Sequence, residues 1–367
     1  LPASRSLRRL TLLLPAVVLA FAACGPGATA SPSSPPASNP GGASPEPSAA
    51  PGASGSPTTG GSLTIYSGRS EELVGPLIDR FEQDSGIDVE VNYAGTSELA
   101  ATILEEGDNS PADVFFSQDG GALGALAAEN RLAPLPQEVL DLVDERFRSP
   151  DGLWVGVSGR ARVAAYNTDA LAAADMPDSI LDFADPRWKG LIGWAPSNAS
   201  LQSFVTALRV LEGDDAAREW LEGIQANEPR VYEGNSQALE GVASGEVQVA
   251  FINHYYLLAA RADGTAENVE NHFFPGGDPG ALVNVAGAGI LSTSENTAAA
   301  QQFVEFLLSE ESQQYFADET FEYPLIDGVP ADDRLTPLTE IDSPDLDLSD
   351  LADLEGTLQL MQETGVL

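Results

Sequence analysis

Two tyrosines stand side by side at Tyr255 and Tyr256, directly after the strand-like run VQVAFIN and one of the chain's two histidines, His254. A phenolate is a hard anionic oxygen donor, suited to a highly charged hard cation such as ferric iron. A free phenol titrates near 10, so at neutral pH the metal itself must displace the proton. Inside a strand the two could not act together, because neighbouring side chains point to opposite faces, one to the core and one to the surface. If Asn253 caps a helix, both tyrosines fall in its first turn, where successive side chains diverge by about 100°. Both hydroxyls then lean toward one point. The residues alone leave both arrangements open.

Positioning such a pair takes a strand with a helix leaving it, and the chain repeats that unit. LTIY reads as a buried strand, after which Leu73, Val74, Leu77, Ile78 and Phe81 recur at helical spacing. Glu71 and Glu72 occupy the first turn, where the helix dipole favours acids, and Ser85-Gly86 ends the helix. IDVEVNY alternates as a strand, TSELAATILEEG is helical, and ADVFFSQDGGALGALAAEN is strand, turn and helix. GLIGWAPSNASLQSFVTALRVLEG, RVYEGNSQALEGVASG and EVQVAFINHYYLLAARADG repeat the plan, and ALVNVAGAGIL can carry the chain back to its first half. This alternation predicts an α/β protein with parallel sheet and right-handed crossovers. The length beyond residue 62 is too great for one small core and fits two lobes with a cleft between them. The expected division is an N-lobe of residues 63–160, with a return at about 285–336, and a C-lobe of 161–284 that also receives the segment 337–367.

Ligands in open α/β sheets sit beyond the carboxyl ends of the strands, against helix N-termini. The candidates are therefore Ser67, Gly68, Arg69 and Ser70; Ser117, Gln118 and Asp119; Asn198, Ala199 and Ser200; Asn235; and Asn253. Helix capping accounts for each taken singly. Together they form a set of helix starts with unpaired N–H groups, which suits an anion. Arg160 or Arg162, in SGRAR, could add a guanidinium.

The N-terminus speaks for export. Arg5, Arg8 and Arg9 precede an apolar stretch from Leu10 to Ala23, too short for the roughly 20 residues of a membrane span, and Cys24 follows two small residues. This resembles the lipobox of bacterial lipoproteins and implies residues 1–24 as a signal segment and Cys24 as the lipidated residue. Leu1 stands where a start methionine is expected, which fits an alternative start codon or a start placed elsewhere. Residues 25–62 are almost all Pro, Ser, Ala, Gly and Thr, the composition of a disordered tether. Cys24 is the only cysteine, so disulfides within the chain and thiolate metal sites are excluded. The formal charge of −39 with a single lysine, Lys189, repels nucleic acid and anionic lipid headgroups, and reads as a solvated acidic surface. No G-x-S-x-G or H-E-x-x-H occurs, and no Ser/His/Asp set forms around His254 or His272, which argues against an enzyme.

Several segments together carry a family resemblance: IYSGRSEELVGPLI, ADVFFSQDGGALGALA, WVGVSGRARVAAYNT, DPRWKGLIGWAPSNASLQSFVTALR, INHYYLL and VNVAGAGIL. From about Leu63 to the C-terminus the chain resembles the ferric-ion-binding proteins of bacterial iron ABC transporters, within the two-lobed type II periplasmic-binding-protein fold. The resemblance implies Tyr255 and Tyr256 as iron ligands, and phosphate or carbonate as a synergistic anion held by Asn198, Ala199, Ser200, Asn235 and Asn253, with Arg162 in support. It implies an ABC permease as partner and a monomeric, lipid-anchored receptor outside the cytoplasm. Ser70 stands where the best-known members carry histidine, and Gln118 where they carry glutamate. Gln118, Asp119, Glu98 or water are the candidates to complete the metal's shell, while Ser67 to Ser70 line the cleft. His254 is expected to make hydrogen bonds beside the pair. The alternative is a receptor of the same fold for a phosphate ester, a polyamine or thiamine, with the tyrosines as a stacking surface.

Overall fold

The computed structural model describes residues 61–367. The expected signal segment 1–24, with Cys24, and the tether up to residue 60 lie outside the described residues. Ser62, expected to close the tether, already begins the first strand.

Nine strands of the described residues form β1 (Ser62–Ser67), β2 (Asp88–Tyr93), β3 (Val114–Ser117), β4 (Val155–Asn167), β5 (Ile192–Trp194), β6 (Arg230–Val231), β7 (Val249–Asn253), β8 (Val269–His272) and β9 (Val283–Ile290). They lie in the order β2-β1-β3-β9-β4-β7-β5-β6, with β8 also paired to β4. The helices are α1 (Glu71–Ser85), α2 (Thr96–Glu106), α3 (Gly120–Ala128), α4 (Gln137–Leu140), α5 (Ala199–Glu212), α6 (Asp214–Ala226), α7 (Asn235–Ala243), α8 (Tyr255–Ala262), α9 (Thr297–Leu307), α10 (Glu310–Asp318) and α11 (Leu354–Glu363). The fold is the expected two-lobed α/β architecture.

Local signals place the elements. In α1, Val74, Leu77, Ile78 and Phe81 are buried, and Gly86 ends the helix at φ 69°, where its N–H donates to the Glu82 carbonyl. The sheet is mixed and not wholly parallel as the alternation suggests. β1 pairs in parallel with β2 and β3, and β5 with β6 and β7, but β4 and β9 run antiparallel to their neighbours. The difference has a simple cause: only βα crossover units must return parallel, whereas β4 and β9 carry the chain between lobes in opposite directions.

All residues of β4 are buried. From Val155 to Ala161 it pairs with β9, and from Arg162 to Tyr166 with β7. The change of partner between Ala161 and Arg162 marks where the strand passes from one part of the sheet to the other. One hydrophobic cluster, including Leu63, Ile65, Phe116 and Val285, underlies the β1 side, while two others fill the β5 and β7 side around Trp194, Phe204, Trp220 and Phe251 and around Val163, Leu239 and Ile252.

The C-terminal segment, expected on the second lobe, packs on both. A 3-10 turn at Leu348–Ala352 lies against α3, close enough that a Cβ on Gly121 would stand 2.6 Å from the Leu351 carbonyl oxygen. Beyond it, α11 packs on α5 and puts Leu360 and Met361 into the cluster around Trp194. The glycine face of α3 permits this backbone contact, for which the hydrophobic pattern holds no signal. Among the described residues no helix is long and apolar enough to cross a membrane.

Candidate functional site

Strand β7 ends at Asn253, which is held extended opposite Arg162 in the ladder. The capping position therefore belongs not to Asn253, as expected, but to His254, whose backbone is already helical at φ −57° and ψ −39°. Helix α8 starts at Tyr255, and both tyrosines lie in its first turn. Their rings stack with centroids 4.3 Å apart and planes 27° off parallel. Tyr255 is 2% exposed, and its hydroxyl has no hydrogen-bond partner. Tyr256 is half-buried. Burial above all pushes the Tyr255 phenol well above its ordinary value, and Tyr256 adds to the rise, while Arg69 and Arg160 oppose it.

Three buried guanidiniums converge here. Arg160 and Arg162 are two residues apart on β4 and so share a face of the strand, and Arg69 stands just beyond the end of β1. Arg69 donates from both terminal nitrogens to Glu322, at 2.9 and 2.8 Å. Glu322 is 0% exposed and also accepts from the Ser158 hydroxyl at 3.2 Å and the Thr320 hydroxyl at 3.0 Å. Arg160 donates to the Val285 carbonyl at 3.2 Å, with its Nε 3.9 Å from Glu322. Arg162 donates to the Ser200 hydroxyl at 3.3 Å and to the Phe251 carbonyl at 2.8 Å, and burial pulls its guanidinium down to about 9. Several buried donors keep no protein partner: Nε of all three arginines, Nη1 of Arg160 and Nδ2 of Asn253. Unpaired buried donors are costly, and cationic ones more so.

The expected anion loop assembles beside Arg162. The Asn198 side chain caps α5, accepting from the Ser200 N–H at 3.0 Å and from its hydroxyl at 2.6 Å. Asn235, at the start of α7, donates to the Ser200 hydroxyl at 3.2 Å and leaves its own Oδ1 unpaired. Ala199 is the first residue of α5 and half-buried.

The first-lobe candidates fare differently. Ser67 and Ser117 make the same turn at adjacent strand ends, each hydroxyl donating to the carbonyl two residues on, at Arg69 and Asp119, and accepting that residue's N–H. Gly68 is needed there, since a Cβ would collide with the Thr96 side chain. The Asp119 carboxylate, a candidate metal ligand, is instead engaged as the cap of α3, accepting the Ala122 N–H at 3.1 Å. It is 4% exposed, and burial pushes its carboxyl upward while that N–H pulls it back. Glu98 and Ser70 are exposed, and Gln118 is half-buried, its N–H donating to the Thr96 hydroxyl at 3.1 Å. His254 is buried with both ring nitrogens on backbone groups, at Ala161 and Phe321, so it makes hydrogen bonds as expected. Burial pulls its imidazole down to about 4. Among the described residues no three of His, Cys, Asp and Glu are placed to share a metal ion.

Sequence reasoning missed Glu322, whose only local setting is FEYPL, and the contacts that cross between lobes. Ser97, at the start of α2, donates to the Gln202 side chain on α5 at 3.1 Å. Asn284 on β9 donates to the Ser203 hydroxyl at 2.8 Å and accepts the Gly120 N–H at 3.1 Å. No periodicity marks any of these residues.

Two α/β lobes joined by crossing strands, with polar helix starts gathered between them, define a solute-binding protein. The chain belongs to the bacterial extracellular solute-binding proteins, a family whose sequence model matches residues 109–347. It is 36% identical over 310 residues to the major ferric iron-binding protein of Neisseria meningitidis serogroup B, covering 83% of this chain and 93% of that protein. It is 35% identical to iron uptake protein A1 of Synechocystis, over 83% of this chain and 87% of that one. The iron-bound structure of HitA from Pseudomonas aeruginosa superposes with a TM-score of 0.79 at 37% identity, covering 83% of this chain and 99% of that chain. These relatives are named as binding and uptake proteins, in keeping with a receptor and not an enzyme.

Proposed function

We propose that this chain captures ferric iron together with phosphate or carbonate and delivers it to an ABC permease, as a lipid-anchored receptor outside the cytoplasm. One observation carries the reading: a buried phenol with no partner, stacked on a second phenol and surrounded by guanidinium donors that also lack partners. The names of the relatives support iron as the cargo. Tyr255 and Tyr256 bind the metal as phenolates after losing their protons to solvent. Asn198, Ala199, Ser200, Asn235, Asn253 and Arg162 hold the anion, and Arg160 adds charge to it. Gln118 or solvent completes the shell on the first-lobe side, and Ser67 to Ser70 line the cleft.

In this reading residues 63–160 with 285–336 form one lobe and 161–284 the other, and the lobes close by bending where β4 and β9 cross. Cys24 carries the anchor, the segment 25–62 is the tether, and the receptor acts as a monomer.

The test is a visible absorption titration of the purified full chain with ferric citrate in phosphate or carbonate buffer, beside a Tyr255→Phe/Tyr256→Phe variant. A phenolate-to-iron charge-transfer band that saturates at a single equivalent and disappears in the variant is the expected result. A folded protein with no band in either buffer overturns the iron assignment in favour of an organic solute.

A further inference from the structure

We infer that His254 is a positioning residue: its imidazole stands in for a backbone peptide group and ties the tyrosine helix to the residue at which β4 changes partner. This inference rests on the iron reading above and concerns how the two phenols are aimed.

The ladder between β4 and β7 ends with Arg162 opposite Asn253. The next antiparallel rung would set Ala161 opposite His254, but the backbone of His254 has already turned helical. The rung is nevertheless made. The His254 N–H donates to the Ala161 carbonyl at 3.0 Å, and the Ala161 N–H donates to His254 Nδ1 at 3.1 Å. A ring nitrogen thus takes the place of the carbonyl oxygen that left with the helix. Without it, a buried N–H at the crossing point would lose its partner, a cost that proteins rarely accept.

Ala161 is the last residue of β4 paired with β9, opposite Val283. The other ring nitrogen, Nε2, donates to the Phe321 carbonyl at 3.0 Å, which fixes the neutral tautomer. Phe321 has φ 55°, a left-handed conformation unusual for a bulky residue. The imidazole lies flat on Tyr323 at 4.6 Å and edge-on to Tyr255 at 5.8 Å, and Asn271 holds the His254 carbonyl at 2.9 Å. One side chain therefore links the crossing strand, the segment holding Glu322 and the helix bearing both tyrosines. Two consequences follow from this geometry. The strand can end one residue early, which brings both tyrosines into one helical turn. Any bend of β4 at Ala161 is passed to the tyrosines through a rigid ring.

Three variants of the full chain separate this role from plain packing. In His254→Asn the amide oxygen reaches where Nδ1 stood and keeps the Ala161 bond. In His254→Gln the longer amide reaches toward Phe321 and gives up Ala161, and His254→Leu keeps neither. Each is followed by the charge-transfer band and by the rate of iron release to a competing hydroxamate chelator, with thermal unfolding alongside. All three variants should unfold at lower temperature than wild type. The Asn variant should keep the wild-type band and release rate, while Gln and Leu should show a shifted or weakened band and release about tenfold to a hundredfold faster, the usual effect of losing a group that orients a metal ligand. Should the Leu variant fail to fold, the Gln variant alone decides. A wild-type band and release rate in the Gln variant overturn the assignment and leave the iron reading standing. Absence of the band in wild type overturns both.

Discussion

Among the described residues Glu322 is the one carboxylate that accepts hydrogen bonds from Arg69, and Glu322→Gln removes its charge while keeping its shape. Arg69 binds it through both terminal nitrogens at 2.8–2.9 Å, neither side chain has appreciable contact with water, and the nearest other cation, Arg160, cannot leave. Removing one partner of a buried pair typically costs about 3–5 kcal/mol, because the remaining charge stays desolvated. Coulomb's law agrees in size: two unit charges about 4 Å apart at an effective dielectric near 20 attract by about 4 kcal/mol. Urea unfolding of the iron-free chain is the assay, with the loss read as a lower midpoint at unchanged slope. Phosphate supplies a second check. With Arg69, Arg160 and Arg162 less compensated, millimolar phosphate should raise the variant's midpoint more than it raises that of wild type. A loss below about 1 kcal/mol, insensitive to phosphate, would show that Arg69 finds water or another partner and that Glu322 does not hold the cationic cluster in place.

Tyr255→Phe alone should stabilise the iron-free protein by about 1 kcal/mol or more, since it deletes a buried hydroxyl without a partner, while weakening the charge-transfer band to what Tyr256 alone supplies; destabilisation of the iron-free form would contradict the geometry. Stability should also depend on pH through His254. Its imidazole is depressed to about 4 in the fold, whereas the unfolded chain takes up the proton near 6.5, so its contribution is complete above about 6.5 and is lost as pH falls toward 4, by at most about 3 kcal/mol. Unfolding midpoints measured across that range should flatten in His254→Asn. Gly121→Ala should cost about 1–3 kcal/mol by overpacking against Leu351, measurable by thermal unfolding, and a neutral result would mean that the C-terminal segment is not held tightly on α3.

Much of this protein is legible locally. The βα units of both halves follow from side-chain periodicity, acids in first turns and a glycine such as Gly86 at a helix end, all interactions within a few residues. The tyrosine pair is legible because adjacency in a first helical turn settles proximity without reference to the rest of the fold. Asn198, Ser200 and Asn235 come together as expected, because helices that leave neighbouring strand ends necessarily open onto one edge of the sheet. Other features needed the tertiary structure. Glu322 lies 253 residues from Arg69, in a segment without pattern, and only folding shows that a charge there is tolerable because its partner is desolvated with it. Asp119 reads equally as ligand or cap until the Ala122 N–H is seen to take it. The antiparallel course of β4 and β9 and the C-terminal segment's hold on both α3 and α5 depend on which surfaces meet. The sequence by itself determined the repeating units and the chemistry at their ends, since both arise from short-range periodicity and capping. Only the tertiary structure decided which charges neutralise one another and which donors stay unpaired, since those energies depend on burial and on neighbours far away along the chain.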